Sequence, residues 1–138
     1  MKIQGIVAKE KLSTNLNEVY IIPDLDLWIP GYTELPDTQK ISVDVKHLTA
    51  GDLASEFKDL KGGYARHSIF SSDVQRFLKH TYKVYEIEDN EGNKITDPAA
   101  IANVGKGSAT SLCAEIMIKT IDHLYDSATL TEAEIKNS

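Results

Sequence analysis

Residues 108–125 read SATSLCAEIMIKTIDHLY, and the rest of the chain can be organised around them. Apolar side chains recur at Leu112, Cys113, Ile116, Met117, Ile121, Leu124 and Tyr125. Steps of three and four place them on one side of an α-helix. Glu115, Lys119 and Asp122 take the other side, and Ile118 lies off the main stripe. Ser108 or Thr110 can cap the start, with Gly105 and Gly107 marking the loop before it. A helix of this kind must bury its stripe against other elements. It is an element of the core and carries no reaction chemistry of its own.

Upstream, the pattern changes from helical to alternating. Residues 2–8, KIQGIVA, read as a short strand, and Glu18 to Ile22 as a second one stopped by Pro23. In DLDLWIPG, Leu25, Leu27 and Ile29 alternate with Asp24, Asp26 and Trp28, which predicts a third, edge-lying strand between Pro23 and Pro30. QKISVDVKHL repeats the alternation, with Ile41, Val43 and Val45 inward. Thr49 and Asp52 are spaced as a capping box opening a short helix with Leu53, Phe57 and Leu60 on one side. Gly62-Gly63 ends that helix.

The loop GGYARHSIFSS follows, then a helix from about Ser72 to His80 with Val74, Phe77 and Leu78 as its apolar side. TYKVYEIEDNEGNKIT predicts a strand, a tight turn at residues 90–93 and a short return. Asp97-Pro98 opens a short helix over 98–104, with Asp as N-cap and Pro at the first helical position. Thr131 and Glu134 form a capping box, and Leu130 with Ile135 a hydrophobic staple, for one last helix start. Strands gather in the first part of the chain and helices in the last. That segregation predicts an α+β fold in one domain, residues 1–138.

Composition narrows the function classes. The hydrophobic share of 41% and charged share of 26% are those of an ordinary globular protein. A net charge of −6 without a clustered basic face argues against nucleic acid as the main partner. No apolar run reaches membrane-spanning length, and the start lacks the apolar centre of a secretory leader. The lone cysteine, Cys113, sits on the helix stripe as a buried thiol, which fits a reducing compartment.

Candidate motifs fail at required positions. VGKGSAT lacks the phosphate-loop order, because Gly107 follows Lys106 and Ala100 stands where the first glycine belongs. Aligning Gly92 with a calcium-loop glycine puts Ile87 at the first ligand position. His47, His67, His80 and His123 show no ligand spacing and read as solvated or helix-end histidines. Asp24 and Asp26 on one strand face read as its wet side. No enzyme, cofactor or metal site is expected.

Three stretches, in order, resemble the tail assembly chaperones of long-tailed bacteriophages. They are IPDLDLWIPG with ISVDVKHLTAGDLASEF, then FLKHTYKVYEIEDNEGNKITDPAAI, then the long helix closing with LYDSATLTEAEIKNS. The likeness spans much of the chain and consists of hydrophobic pattern and helix caps. It implies a non-enzymatic protein that binds and solubilises the tape-measure protein during tail morphogenesis in the host cytoplasm. Such proteins are made in two lengths by ribosomal frameshifting, and a chain stopping just after Thr131 fits the short form. A small structural virion protein of the neck or tail, or another phage protein-interaction module, is the rival reading. Self-association into a homo-oligomer is left open. Trp28, Tyr64, Phe70 and Ile118 have no obvious core position and are the expected protein-binding residues.

Overall fold

The computed structural model describes residues 16–55, 71–105 and 107–128. Three strands form an antiparallel sheet in the order β1-β2-β3: β1 (Asn17–Ile21), β2 (Ser42–Lys46) and β3 (Thr81–Tyr85). Helices α1 (Ala50–Ser55), α2 (Ser71–His80), α3 (Pro98–Ala102) and α4 (Ser108–Ala128) and two short 3-10 turns, Tyr32–Glu34 and Asp37–Gln39, complete the described elements. The fold is α+β, with the sheet early in the chain and the longest helix late. The expected strand over 2–8 and the helix start after Leu130 lie outside the described residues.

Alternation decides which face of the sheet is covered. Ile41, Val43 and Val45 are buried, as the period of two requires. Val84 of β3 pairs with Val43 and is fully buried on the same side. The register slips between Asp44 and Val45, so that Val45 pairs with Thr81. Such a bulge bends the strand locally.

Helix α4 packs against α2 and α3 and supplies Cys113, Ile116, Met117, Ile121 and Leu124 to the core. It runs three residues past the expected end, to Ala128. The buried side is also wider than the period predicts. Ile118 is only 3% exposed and Thr120 fully buried, the Thr120 hydroxyl donating to the Ile116 carbonyl at 2.7 Å. Leu112 and Tyr125 are half-buried at the margin. A helix covered on more than one side buries residues that a single-stripe reading places outside.

The expected strand over 24–29 is not a strand. Trp28 N and Ile29 N both donate to the Leu25 carbonyl, at 3.1 and 2.8 Å, and the chain turns back on itself. Asp24 takes the left-handed conformation, φ 57. Pro23 and Pro30 bracket the turn, where neither needs to donate. The Asp26 carboxylate accepts from the Thr33 backbone N–H at 3.0 Å and from the Thr33 hydroxyl. These bonds hold its pKa below the usual carboxylate range. Leu25 is therefore fully buried while Leu27 is 86% exposed, although alternation put them on one face.

Helix ends follow the capping chemistry. Thr49 N donates to Asp52 Oδ2 at 2.9 Å and Asp52 N to Thr49 Oγ1 at 3.1 Å, a reciprocal box at the start of α1. Phe57 and Leu60, expected on this helix, lie outside the described residues. Asp97 Oδ1 accepts from Ala99 N at 2.9 Å and Pro98 opens α3. Asp97→Ala is expected to cost about 1 kcal/mol, read from the urea midpoint, because it strips an N-cap from a short helix.

Candidate interaction surface and polar clusters

Inner and outer faces of the sheet differ because β1 and β2 alternate in register. Inward go Glu18, Tyr20 and the residues continuing to Ile22. Outward go Val19 and Ile21, 60% and 38% exposed. Val19 lies opposite Asp44, which lies opposite Lys83; Ile21 lies opposite Ser42, which lies opposite Tyr85. The Tyr85 hydroxyl donates to Asp44 Oδ2, and this bond raises the tyrosine pKa. Lys83 Nζ sits 5.4 Å from the Tyr85 ring centre. Tyr82, at the bulge, is 55% exposed.

A shallow depression crosses this outer face at its Ile21–Ser42–Tyr85 end. Val19, Ile21, Ser42 and Tyr85 line it together with Asp37, Thr38 and Glu86. Glu86 directly follows β3 and has φ 64. A positive φ in a residue other than glycine costs of order 1–3 kcal/mol and persists where the surrounding fold imposes it. Asp37, in the short helical turn Asp37–Gln39, is 3.4 Å from Lys40 Nζ, and its side chain is 73% exposed.

The inner face carries a polar cluster that no spacing in the sequence announces. Glu18 Oε1 lies 2.7 Å from His123 Nε2 and 3.0 Å from His47 Nε2. The His123 ring stacks on Tyr20, with centroids 3.8 Å apart and planes within 6°. Burial, reinforced by Asp122 and Glu18, pushes the Tyr20 pKa up to about 12. Its hydroxyl thus stays protonated at neutral pH and cannot act as a base. One carboxylate oxygen facing two imidazole nitrogens ties β1 to α4 and to the residue after β2. Of the histidines expected to be solvated or at helix ends, His123 is half-buried in this cluster. His80 ends α2 as expected but is 2% exposed rather than solvated. His67 lies outside the described residues.

Other chemistry-bearing groups have structural surroundings. Burial raises the Cys113 pKa, which lowers its thiolate population and its reactivity. The 89–93 turn is closed by Asp89, whose Oδ1 accepts from the backbone N–H of Glu91 and of Asn93, both at 2.9 Å. Gly92 supplies the positive φ of 82. Among the described residues, no group of three or more His, Cys, Asp or Glu is arranged to hold a metal ion. No described helix is long and apolar enough to cross a membrane.

The four residues expected to bind a partner are not assembled into an open patch by the described structure. Trp28 is half-buried and packs against the core. Ile118, expected off the stripe, is buried. Tyr64 and Phe70 lie outside the described residues. Among the described residues the open large apolar side chains are instead Val19, Ile21, Tyr82 and Leu27. Val19 and Ile21 were legible in principle, since alternation from Glu18 to Ile22 leaves them opposite Tyr20 and Ile22. What the sequence lacked was a signal for which face α4 would cover.

No protein-family model, no curated protein and no solved structure matches this chain.

Proposed function

We propose that the chain is a non-enzymatic tail assembly chaperone that binds and solubilises a tape-measure protein in the host cytoplasm during virion morphogenesis. The observation that carries the protein-binding part is the outer face of the sheet, where Val19 and Ile21 stand open beside Tyr85. Paired β-branched side chains on an uncovered face lose contact with water only when something lies over them. The specific client comes from the resemblance of the three sequence stretches to this chaperone family. An acidic chain of net charge −6 also repels its own copies, which suits a protein that must stay dispersed while carrying an apolar client.

The test is co-expression with the tape-measure chain, comparing wild type with Val19→Thr plus Ile21→Thr. Both changes keep β-branching, Val19 exchanging a methyl and Ile21 an ethyl group for a hydroxyl, so the strand is retained. The double variant is expected to weaken client binding by about tenfold or more, since three apolar carbons worth ~0.8 kcal/mol each are lost from the contact. A folded double variant that keeps the client as soluble as wild type does would remove this face from the mechanism. Gene order gives an independent check: a chaperone gene belongs between the tail-tube and tape-measure genes, and a neck-subunit gene elsewhere.

A further inference from the structure

We infer that the outer sheet face takes an amphipathic helix carrying a lysine or arginine beside its apolar stripe, held between Asp37 and Glu86. This inference rests on the protein-binding reading above and names the chemistry of the partner.

Backbone accounting decides that the occupant is a helix. Both edges of β2 are already paired, with β1 on one side and β3 on the other. A segment that touches Ile21 and Tyr85 together must lie across the face, over β2. There it finds no free backbone donor or acceptor in the strand beneath it. Its own N–H and C=O groups must then be satisfied within the segment, which a helix does and an extended strand does not. Size agrees: three strands spaced ~4.8 Å apart span about 10 Å, close to one helix diameter.

Charge decides what the helix carries. Val19, Ile21 and the Tyr85 ring give the depression an apolar floor, and Asp37 and Glu86 line the same depression. Glu86 is exposed, and no hydrogen bond or ion pair to another described residue holds its carboxylate. Its positive φ fixes the backbone from which that carboxylate projects. Among the described residues the Asp37 carboxylate, on a 73% exposed side chain, is engaged by Lys40 in a pair that an incoming cation can replace. A long basic side chain satisfies both demands, since its methylenes cover apolar surface while its charged end meets the carboxylates.

Two 18-residue peptides test this. Both form a leucine-alanine amphipathic helix; one has lysines flanking the stripe and the other has glutamates there. Each is titrated into methyl-labelled protein and followed by NMR. The lysine peptide is expected to shift the Val19 and Ile21 methyl resonances and to bind about tenfold tighter than the glutamate peptide. Asp37→Lys plus Glu86→Lys, checked for folding by its melting curve, is expected to reverse that order. Equal binding of the two peptides overturns the inference. So do shifts confined to β1 backbone amides, which indicate strand addition, and the absence of methyl shifts at millimolar peptide. The two readings fail separately. If the threonine double variant releases the full client while both peptides bind alike, the chaperone reading stands and the basic-helix inference falls. If that variant keeps the client, the chaperone reading falls with it.

Discussion

Ile116→Ala is expected to lower the unfolding free energy by about 2–5 kcal/mol. Ile116 is fully buried near the middle of α4, among the core residues contributed by the sheet and by α2, α3 and α4. Truncation removes three carbons from that core and leaves a cavity, and the two costs add. Relaxation is limited because several residues in the same core, Val43, Val45, Val84 and Ile121, are β-branched and stiff about χ1. Urea denaturation at constant m-value measures the change. At this chain length the melting temperature should fall by roughly 6–15 °C. A cost below about 1 kcal/mol is the level of surface substitutions and would place α4 outside the core.

Tyr32→Phe is expected to cost about 1–3 kcal/mol although it removes a single oxygen. The Tyr32 hydroxyl donates to the Ile22 carbonyl at 2.6 Å and accepts from the Ile41 backbone N–H at 2.9 Å. Tyr32 is 1% exposed, and its burial raises the phenol pKa. This one atom joins the segment leaving β1 to the segment entering β2. Phenylalanine fills nearly the same volume, so the cavity contribution is small and the measured loss reports the orphaned Ile41 N–H and the weakened Ile22 carbonyl. Amide hydrogen exchange at Ile41 should quicken, while the amides of α4 slow or quicken only with global stability. Tyr85→Phe is the control, because that hydroxyl bonds an Asp44 carboxylate at the water-facing side of the sheet. Equal, negligible costs for both changes would show that water replaces the buried hydroxyl without penalty.

Local rules were legible wherever one residue decides one conformation. The Asp97-Pro98 helix opening, the Thr49–Asp52 box and the turn around Gly92 stand where capping and turn chemistry put them. The alternation of Ile41, Val43 and Val45 found the covered face of β2 because a pleated strand has only two faces. The same rule misread residues 24–29. Six residues of alternation are also compatible with a turn, and Asp24 in the left-handed region between flanking prolines breaks the ladder before it can form. Ile118 was misread for a related reason, since the period gives the centre of a helix stripe and says nothing about its width.

The surface was the less legible part. Trp28 looked unsupported because its strand was assumed, and once the chain turns there the indole packs on the core. Glu18, His47, His123 and Tyr20 are spread from residue 18 to residue 123; β1–β2 pairing brings His47 to Glu18, and α4 against the inner side of β1 brings His123 to Glu18 and Tyr20. The periodicity and caps along the chain were enough to establish the α+β class, the long helix and most helix starts, because hydrogen bonding within a few residues specifies them. Which sheet face α4 covers, and therefore that Val19 and Ile21 remain open beside Asp37 and Glu86, was decided only by packing. Side chains from distant segments compete for the same buried volume, and no local pattern encodes the winner.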